Sequence, residues 1–320
     1  MTPARASRGL NLASMETART LVLSDLHLGK PGGARSALAL RPLVERADRV
    51  IINGDAAELH HARFQQDAEA ELAAFRDLCT GRGIRLDLIA GNHDAFVSET
   101  RALTLADGAI YITHGDAFHP AIAPWSPYAA SMRRTYEATL AALASTMPED
   151  AARFQAAREA SLAEWRSMGE GAHVSTAANT LLRPHRVLAV LAYWARFPSM
   201  ASAWTDKFAP DAGTVLVGHS HRASVRTVGA RRIVNTGSFG FPGKPHAVVI
   251  ERTVQSTTVR VHRILEEGRH YTLDTSPRAA WRAERLQRPA LANAHHHGAA
   301  STPAMNAAAR VSASRSMDVE

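Results

Sequence analysis

The sequence predicts a layered α/β core interrupted by a long helical insertion. Three observations carry that prediction. Up to residue 113, short apolar runs alternate with stretches of helical period. From about Tyr128 to Asp206 the chain is alanine-rich, helical in period and free of strand signals, far longer than an ordinary loop. Beyond it, closely spaced β-rich runs return.

The elements follow in order. Apolar runs place strands at 20–24, 50–52, 86–90 and 109–113. Helical patterns fill 34–47 and 68–79, the second closed by Gly81 and Gly83. Within the insertion, breaks are expected at Pro148, at 169–171, at Pro184 and at Pro198. Strands resume at 214–217, 224–228, 231–234, 247–250 and 257–264. The expected organisation is a disordered lead-in at 1–18, a core built from 19–118 and 212–270, a helical insertion at 119–211, and a disordered tail at 277–320. The histidine run at 295–297 reads as a solvated tract in that tail.

Composition narrows the class. A chain of 320 residues with 46% hydrophobic and 21% charged residues buries a sizeable core. The formal charge of +7 invites a nucleic-acid reading, but residues 1–20 carry a net +2 and residues 277–320 a net +3. The body is therefore near neutral, which argues against a nucleic-acid partner. Cys79 is the only cysteine, so no intrachain disulfide forms and nothing points to an oxidising compartment. The amino-terminal stretch lacks the apolar core of a signal peptide, and no window holds the roughly 18 uncharged apolar residues of a membrane span. A cytoplasmic setting is expected.

The chemistry sits where five apolar runs end. The first, Leu21-Val22-Leu23, breaks into Asp25 and His27 before Gly29. Residues two apart in a strand face the same way, so this carboxylate and imidazole converge beside the sheet edge where ligands bind. A lone Asp-Leu-His would read as a helix cap and a loop residue, but the device recurs. Asn53-Gly54-Asp55 follows the second run, with Glu58 three residues on, and Gly91-Asn92-His93-Asp94 follows the third. Thr113-His114-Gly115-Asp116 and Gly218-His219-Ser220-His221 complete the series. Carboxylate, imidazole and amide oxygen without thiolate suit Mn²⁺, Fe or Zn²⁺. Glycines before Asp55, Asn92 and His219 let the backbone turn sharply there.

As an ordered set, Asp25-x-His27, Gly54-Asp55, Gly91-Asn92-His93-Asp94, His114 and Gly218-His219-x-His221 resembles the calcineurin-like metallophosphoesterase superfamily. Asn235-Thr236-Gly237-Ser238 resembles its Asn-Pro-Gly-Ser element with Thr in place of Pro. The resemblance covers about residues 19–265 apart from the insertion. It implies a four-layer αββα sandwich, two β-sheets flanked by helices, with a helical cap. It also implies one metal ion held by Asp25, His27, Asp55 and His221, and a second held by Asp55, Asn92, His114 and His219, with Mn²⁺ the first choice. Glu58 stands where many members carry a second Asp and receives no ligand role. His93 resembles the family's general acid, with Asp94 orienting its imidazole. The implied reaction is hydrolysis of a phosphomonoester, phosphodiester or pyrophosphate by a hydroxide bridging two ions, at a site left positive toward an anionic phosphoryl group.

Pairing the Asp25-Leu26-His27-Leu28-Gly29 start with His114-Gly115-Asp116 and a long insertion is similar to the lipid A pathway pyrophosphatases that cleave UDP-2,3-diacylglucosamine. That likeness implies a UDP-sugar-lipid-like substrate. The same start also resembles small DNA-repair-associated phosphodiesterases, so a nucleotide or nucleic-acid phosphodiesterase is the alternative. A non-catalytic metal-binding scaffold is the alternative of another class, against which the full ligand set and His93 speak. In the insertion, Val187, Leu188, Val190, Leu191, Tyr193, Trp194, Phe197, Met200 and Trp204 are flanked by Arg183, Arg186, Arg196 and Lys207. The plain reading packs them inside a cap over the metals. The sharper one has them line an acyl or base pocket with Trp125 and Tyr128, or dock peripherally at the inner face of a membrane. His119, Trp125 and Tyr128 are candidate substrate contacts, and His60 and His61 read as rim residues. The expected partner is a small phosphorylated or lipid-linked molecule.

Overall fold

The computed structural model describes residues 18–168, 183–240 and 242–287. Nearly all of the expected lead-in, the glycines at 169–171 and the tail from 288, with its histidine run, lie outside the described residues.

Two sheets form the centre. In the first, β1 (Ala18–Leu23), β2 (Arg49–Asn53) and β3 (Arg85–Ile89) run parallel. On the other side of β1 lies antiparallel β9 (His246–Arg252), followed by β10 (Thr257–Glu267), which carries both β11 (His270–Leu273) and β12 (Ala279–Arg282). The second sheet has the order β4 (Ala102–Leu105), β5 (Ile110–Thr113), β6 (Thr214–Val217), β8 (Arg231–Asn235), β7 (Ser224–Val228). Its three inner strands β5, β6 and β8 are parallel.

Period-two alternation sorts each apolar run between two faces. Val22, Ile51 and Ile89 turn inward and meet Ile110, Leu216 and Val234 of the second sheet. Leu21, Leu23, Val50 and Ile52 turn outward and pack with Leu43 of α1 (Arg41–Val44) and with Leu72 and Phe75 of α2 (Gln65–Thr80). On the far side, Tyr111, Val215 and Ile233 are covered by Met132 and Tyr136 of α3 (Ala129–Leu143), Ala156 and Ala160 of α4 (Glu149–Met168), and Tyr193, Phe197 and Trp204 of α5 (Pro184–Phe208). The result is the four-layer αββα sandwich that the resemblance implied. The inserted helices are its fourth layer, packed on the second sheet, and only one margin of that layer reaches the ends of the strands.

The structure departs from the sequence reading in four places. The helix expected over 34–47 shrinks to a 3₁₀ turn at Leu38–Leu40 and the short α1, because Pro42 at the start of α1 has no amide to continue a helix from upstream. Pro198, expected to break the insertion, sits inside the 25-residue α5. The lost hydrogen bond there costs about 3 kcal/mol, which burial of Phe197, Ala201 and Trp204 around it offsets. β4 and β11 were not expected, each being four residues long. Finally, the tail is ordered past residue 277. β12 pairs with β10, Trp281 donates its indole N–H to Thr214 Oγ1 at 2.9 Å, and Arg285 pairs with Asp211.

That last feature sets a test. A chain ended after Ser276 should unfold at lower urea concentration than one ended after Gln287, and Trp281→Ala in the longer chain should cost about 2 kcal/mol. Coincident unfolding curves would show that β12 contributes nothing.

Candidate metal centre

All five ligand-bearing loops leave the carboxyl ends of parallel strands, β1, β2 and β3 in one sheet and β5 and β6 in the other. Backbone hydrogen bonds hold the loops side by side. Asp25 and His27 donate to the carbonyls of Gly54 and Asp55 at 3.0 Å each, and Gly218 donates to His114 at 3.0 Å. Asn53 staples the sheets together, its amide donating to the carbonyls of Thr113 at 3.0 Å and Leu216 at 3.3 Å. Asn235-Thr236-Gly237-Ser238 forms the floor. Asn235 donates to Gly218 O at 2.6 Å, and Ser24 bridges Thr236 Oγ1 and the Asp25 carboxylate at 2.5 Å each.

The donors gather in two groups that share Asp55. In the first, the ligand atoms of Asp25, His27, Asp55 and His221 all lie within 4.8 Å of one another. His27 Nε2 is 3.1 Å from His221 Nε2, which is 3.2 Å from Asp25 Oδ1. In the second, His114 Nε2 lies 3.2 Å from Asp55 Oδ2, Asn92 Oδ1 lies 2.9 Å from His219 Nδ1, and the His114 and His219 ring centroids are 5.2 Å apart.

Hydrogen bonding on the outer side of each ring tests whether cations fit. His27 Nδ1 meets Glu58 Oε1 at 2.9 Å, His114 Nδ1 meets Asn53 O at 2.9 Å, and His219 Nε2 meets Ile122 O at 3.1 Å. Each outer nitrogen faces an oxygen acceptor and so carries a proton, which turns the inner nitrogen toward the centre as the atom that would bind a metal. His219 Nδ1 then faces Asn92 Oδ1 with no hydrogen between them, and buried His114 Nε2 makes no hydrogen bond. Lone pairs aimed at lone pairs in a buried pocket are satisfied by a cation, so this donor set fits divalent metal.

The backbone is strained in support. Eight non-glycine residues among those described have positive φ, and five of them are Asp25, His27, Asp55, His219 and His221, at 48° to 63°. Such conformations cost about 1–3 kcal/mol each. The glycines make room rather than turns at two of the three positions. A Cβ on Gly91 would stand 2.2 Å from Asp55 Oδ1, and one on Gly218 would stand 2.4 Å from Asp25 Oδ2. Only Gly54, at φ +81°, also needs the left-handed region.

Glu58 is the residue the sequence reading missed. Fully buried, it accepts from His27 Nδ1, from His93 Nδ1 at 2.8 Å and from Lys30 Nζ at 2.8 Å. Burial works against its charge, but the His93 imidazolium, His27 and Lys30 hold the carboxyl well below its usual range. The missed signal was its spacing from Asp55, with Lys30 in the facing loop. Asp94, expected to orient His93, does not touch that ring. It accepts backbone N–H groups of Gly91 at 2.8 Å, Ala56 at 2.6 Å and Asp55 at 3.2 Å, so it ties two ligand loops together. Its short side chain is turned back into its own loop, and the longer Glu58 reaches the imidazole instead. Arg101 plays a similar part, bonding Asp116 at 2.5 Å and the Gly91 carbonyl at 3.4 Å.

Of the substrate candidates, Trp125 is brought to the centre, its ring 6.4 Å from His219 and 5.2 Å from Tyr193. His119 stacks on Tyr193 at 5.9 Å and accepts the Ala121 N–H, which places it within the helical layer. Tyr128 caps α3 and makes no described contact with the ligand loops. Two further tryptophans reach in from the insertion. Trp194 donates to Ser220 O at 2.8 Å, and Trp165 donates to Asn92 O at 3.1 Å.

The sequence profile described as calcineurin-like phosphoesterase matches residues 18–223. No curated protein sequence matches the chain. Among solved structures, the chain is similar to a conserved protein of Streptococcus pneumoniae described as a predicted phosphoesterase, with 16% identity, 84% of this chain and 99% of that one covered, and a TM-score of 0.35. It is also similar to Vps29 of Entamoeba histolytica, as a double mutant, with 11% identity, 81% and 98% covered and a TM-score of 0.41. A dimetal phosphatase of Danio rerio aligns with 12% identity, 80% and 98% covered and a TM-score of 0.41.

The charge states predict how metal uptake depends on pH. Burial opposes a charged His114, but the neighbouring Asp55 and Asp25 carboxylates push its pKa up to about 10, whereas burial and His114 push His219 down to about 4. Without metal, His114 is protonated at neutral pH, and a cation at that position displaces the proton. Apparent affinity for Mn²⁺ should therefore rise up to about tenfold per pH unit between pH 7 and 9. Titration calorimetry showing no proton release would overturn this account of the second donor group.

Proposed function

Because the chain belongs to the calcineurin-like phosphoesterase family, we propose that it is a metal-dependent phosphoesterase hydrolysing a phosphomonoester, phosphodiester or pyrophosphate bond. The position of His93 carries the reading. Its backbone N–H is held by Asp55, the carboxylate shared by both donor groups, at 2.9 Å, and its ring by Glu58 at 2.8 Å, edge-on to His27 with centroids 4.7 Å apart.

Asp25, His27, Asp55 and His221 would hold one divalent ion, and Asp55, Asn92, His114 and His219 a second, with Mn²⁺ the ion to try first. Bound there, such ions polarise the phosphoryl group and acidify water. The chain's own contribution is orientation and proton delivery. Burial disfavours a charged His93, yet Glu58 and Asp55 more than offset it and push its pKa up to about 9. The imidazole is thus protonated at neutral pH. With Nδ1–H donating to Glu58, Nε2–H is left for the leaving oxygen. As the P–O bond breaks, His93 gives up that proton and becomes neutral, and Glu58 keeps the ring from turning away.

The substrate class proposed is a small or lipid-linked phosphate ester, UDP-sugar lipids included, rather than a long nucleic acid. Trp125, Trp165 and Trp194 rim the centre, and the near-neutral charge of the body speaks against a duplex. No helix among the described residues is long and apolar enough to cross a membrane. Leu188 and Leu191 on α5 are nevertheless 65% and 49% exposed, beside Arg183 and Arg186, and this supports peripheral contact of the insertion with an anionic cytoplasmic membrane face.

Two measurements check the reading. Mn²⁺-dependent turnover of p-nitrophenyl phosphate or bis-p-nitrophenyl phosphate should vanish on chelation. It should fall about 10²- to 10³-fold in His93→Ala, with loss of the alkaline limb of the pH profile. Metal bound without turnover of any phosphate ester would leave a scaffold in place of an enzyme. Separately, Leu188→Ser with Leu191→Ser should abolish co-sedimentation with vesicles containing anionic phospholipid. Equal sedimentation of variant and parent would remove the membrane contact.

A further inference from the structure

Helix α4 meets the loop carrying Asn92 and His93 along one face. Arg158 pairs with Glu99 at 3.0 Å and lies over the Phe96 ring at 5.2 Å. Seven residues on, and so on the same side of the helix, Trp165 donates its indole N–H to the carbonyl of Asn92 at 3.1 Å. The Trp165 ring stands at 72° to that of His93, with centroids 5.2 Å apart. The helix end is itself fixed, since buried Glu164 accepts from Ser126 at 2.5 Å.

His93 needs such a neighbour. Glu58 fixes only Nδ1, and a ring held by a single hydrogen bond still swings about that bond. The swing is limited by flanking rings, His27 at 4.7 Å and Trp165 at 5.2 Å. His27 belongs to the core, whereas Trp165 comes from the insertion. His60 and His61 stack beyond Trp165 at 6.4 Å and 5.8 Å, completing a ring-lined wall on this side of the centre.

We infer that Trp165 is a positioning residue through which the helical insertion aims the His93 Nε2 proton at the leaving oxygen. Its indole N–H pins the backbone next to His93, and its ring blocks rotation of the imidazole away from the centre. The inference rests on the reading of His93 as proton donor. A leaving group that departs readily as an anion needs little help from the proton, and a poor one needs much. Losing the position of the donor therefore costs most on poor leaving groups.

The test uses the full-length, Mn²⁺-loaded protein and a series of aryl phosphates whose phenols span a range of acidity, from p-nitrophenol to phenol. Trp165→Phe keeps a ring and loses the N–H donor, and Trp165→Leu loses both. Metal content is measured alongside. For phenyl phosphate, kcat should fall about tenfold in Trp165→Phe and further in Trp165→Leu, with a much smaller loss on p-nitrophenyl phosphate and little change in KM. Each variant combined with His93→Ala should be no slower than His93→Ala alone. Equal losses across the series, or losses that multiply with that of His93→Ala, would make Trp165 a packing residue and overturn the inference while leaving the role of His93 intact. His93→Ala without any leaving-group dependence would overturn both.

Discussion

Burying three carboxylates at one rim is the constraint that the rest of the structure answers. Asp25, Asp55 and Glu58 have essentially no exposure, and an unanswered buried charge costs several kcal/mol. The answers come from both sheets. His27, His93 and Lys30 reach them from loops of the first, and His114 and His221 from loops of the second. Backbone amides add to this, His93 N donating to Asp55 and His219 N to Asp25. A single sheet could not supply this set, so the joint between the sheets, stapled by Asn53, is where the fold and the chemistry become one problem. Divalent cations would complete the balance, because inner imidazole nitrogens and carboxylate oxygens face one centre, where a cation takes the place of the proton that His114 holds without it.

The helical layer serves two purposes at once. Over most of its area it is ordinary cover, with Tyr193, Phe197 and Trp204 buried against the second sheet. At its margin it places tryptophans on the carbonyls of Asn92 and Ser220, each adjacent to or one residue from a ligand histidine or the proposed acid. The aromatic run that the sequence showed at 187–204 is therefore mainly core. Its exposed members lie at the start of α5.

The ligand set was legible because it is local. Polar donors follow directly on five apolar strands, and parallel strands end at a common edge, so the loops that carry the donors meet there. The i, i+2 alternation expected for Asp25 and His27 does not operate, since both lie past β1 in left-handed backbone. Glu58 was not legible as a pivot, since its histidine partners lie 31 and 35 residues away and the contact depends on how two loops stack. Asp94 misled for the opposite reason: adjacency in sequence to His93 suggested a contact, but its carboxylate turns back onto amides of its own and the neighbouring loop. Gly91 and Gly218 were read as turn formers, whereas the crowding that excludes a side chain there comes from Asp55 and Asp25, residues of other loops. Strands of four residues, such as β4 and β12, draw their stability from neighbours rather than from pattern. Trp165 gave no signal either, because nothing in an alanine-rich helix shows which of its faces meets a catalytic loop.

The left-handed backbone at Asp25, His27, Asp55, His219 and His221 has a practical consequence for dissecting the centre. Alanine has no way to ease that conformation, so an alanine scan here would mix loss of a donor with a misfit of about 1–2 kcal/mol in the main chain. Asparagine tolerates the same dihedral angles and approximates aspartate in shape. Asparagine thus spares the main chain but keeps an amide oxygen of the kind Asn92 offers, whereas glycine spares it and removes the donor, so the pair of scans separates what these five side chains bind from what their peptide units endure.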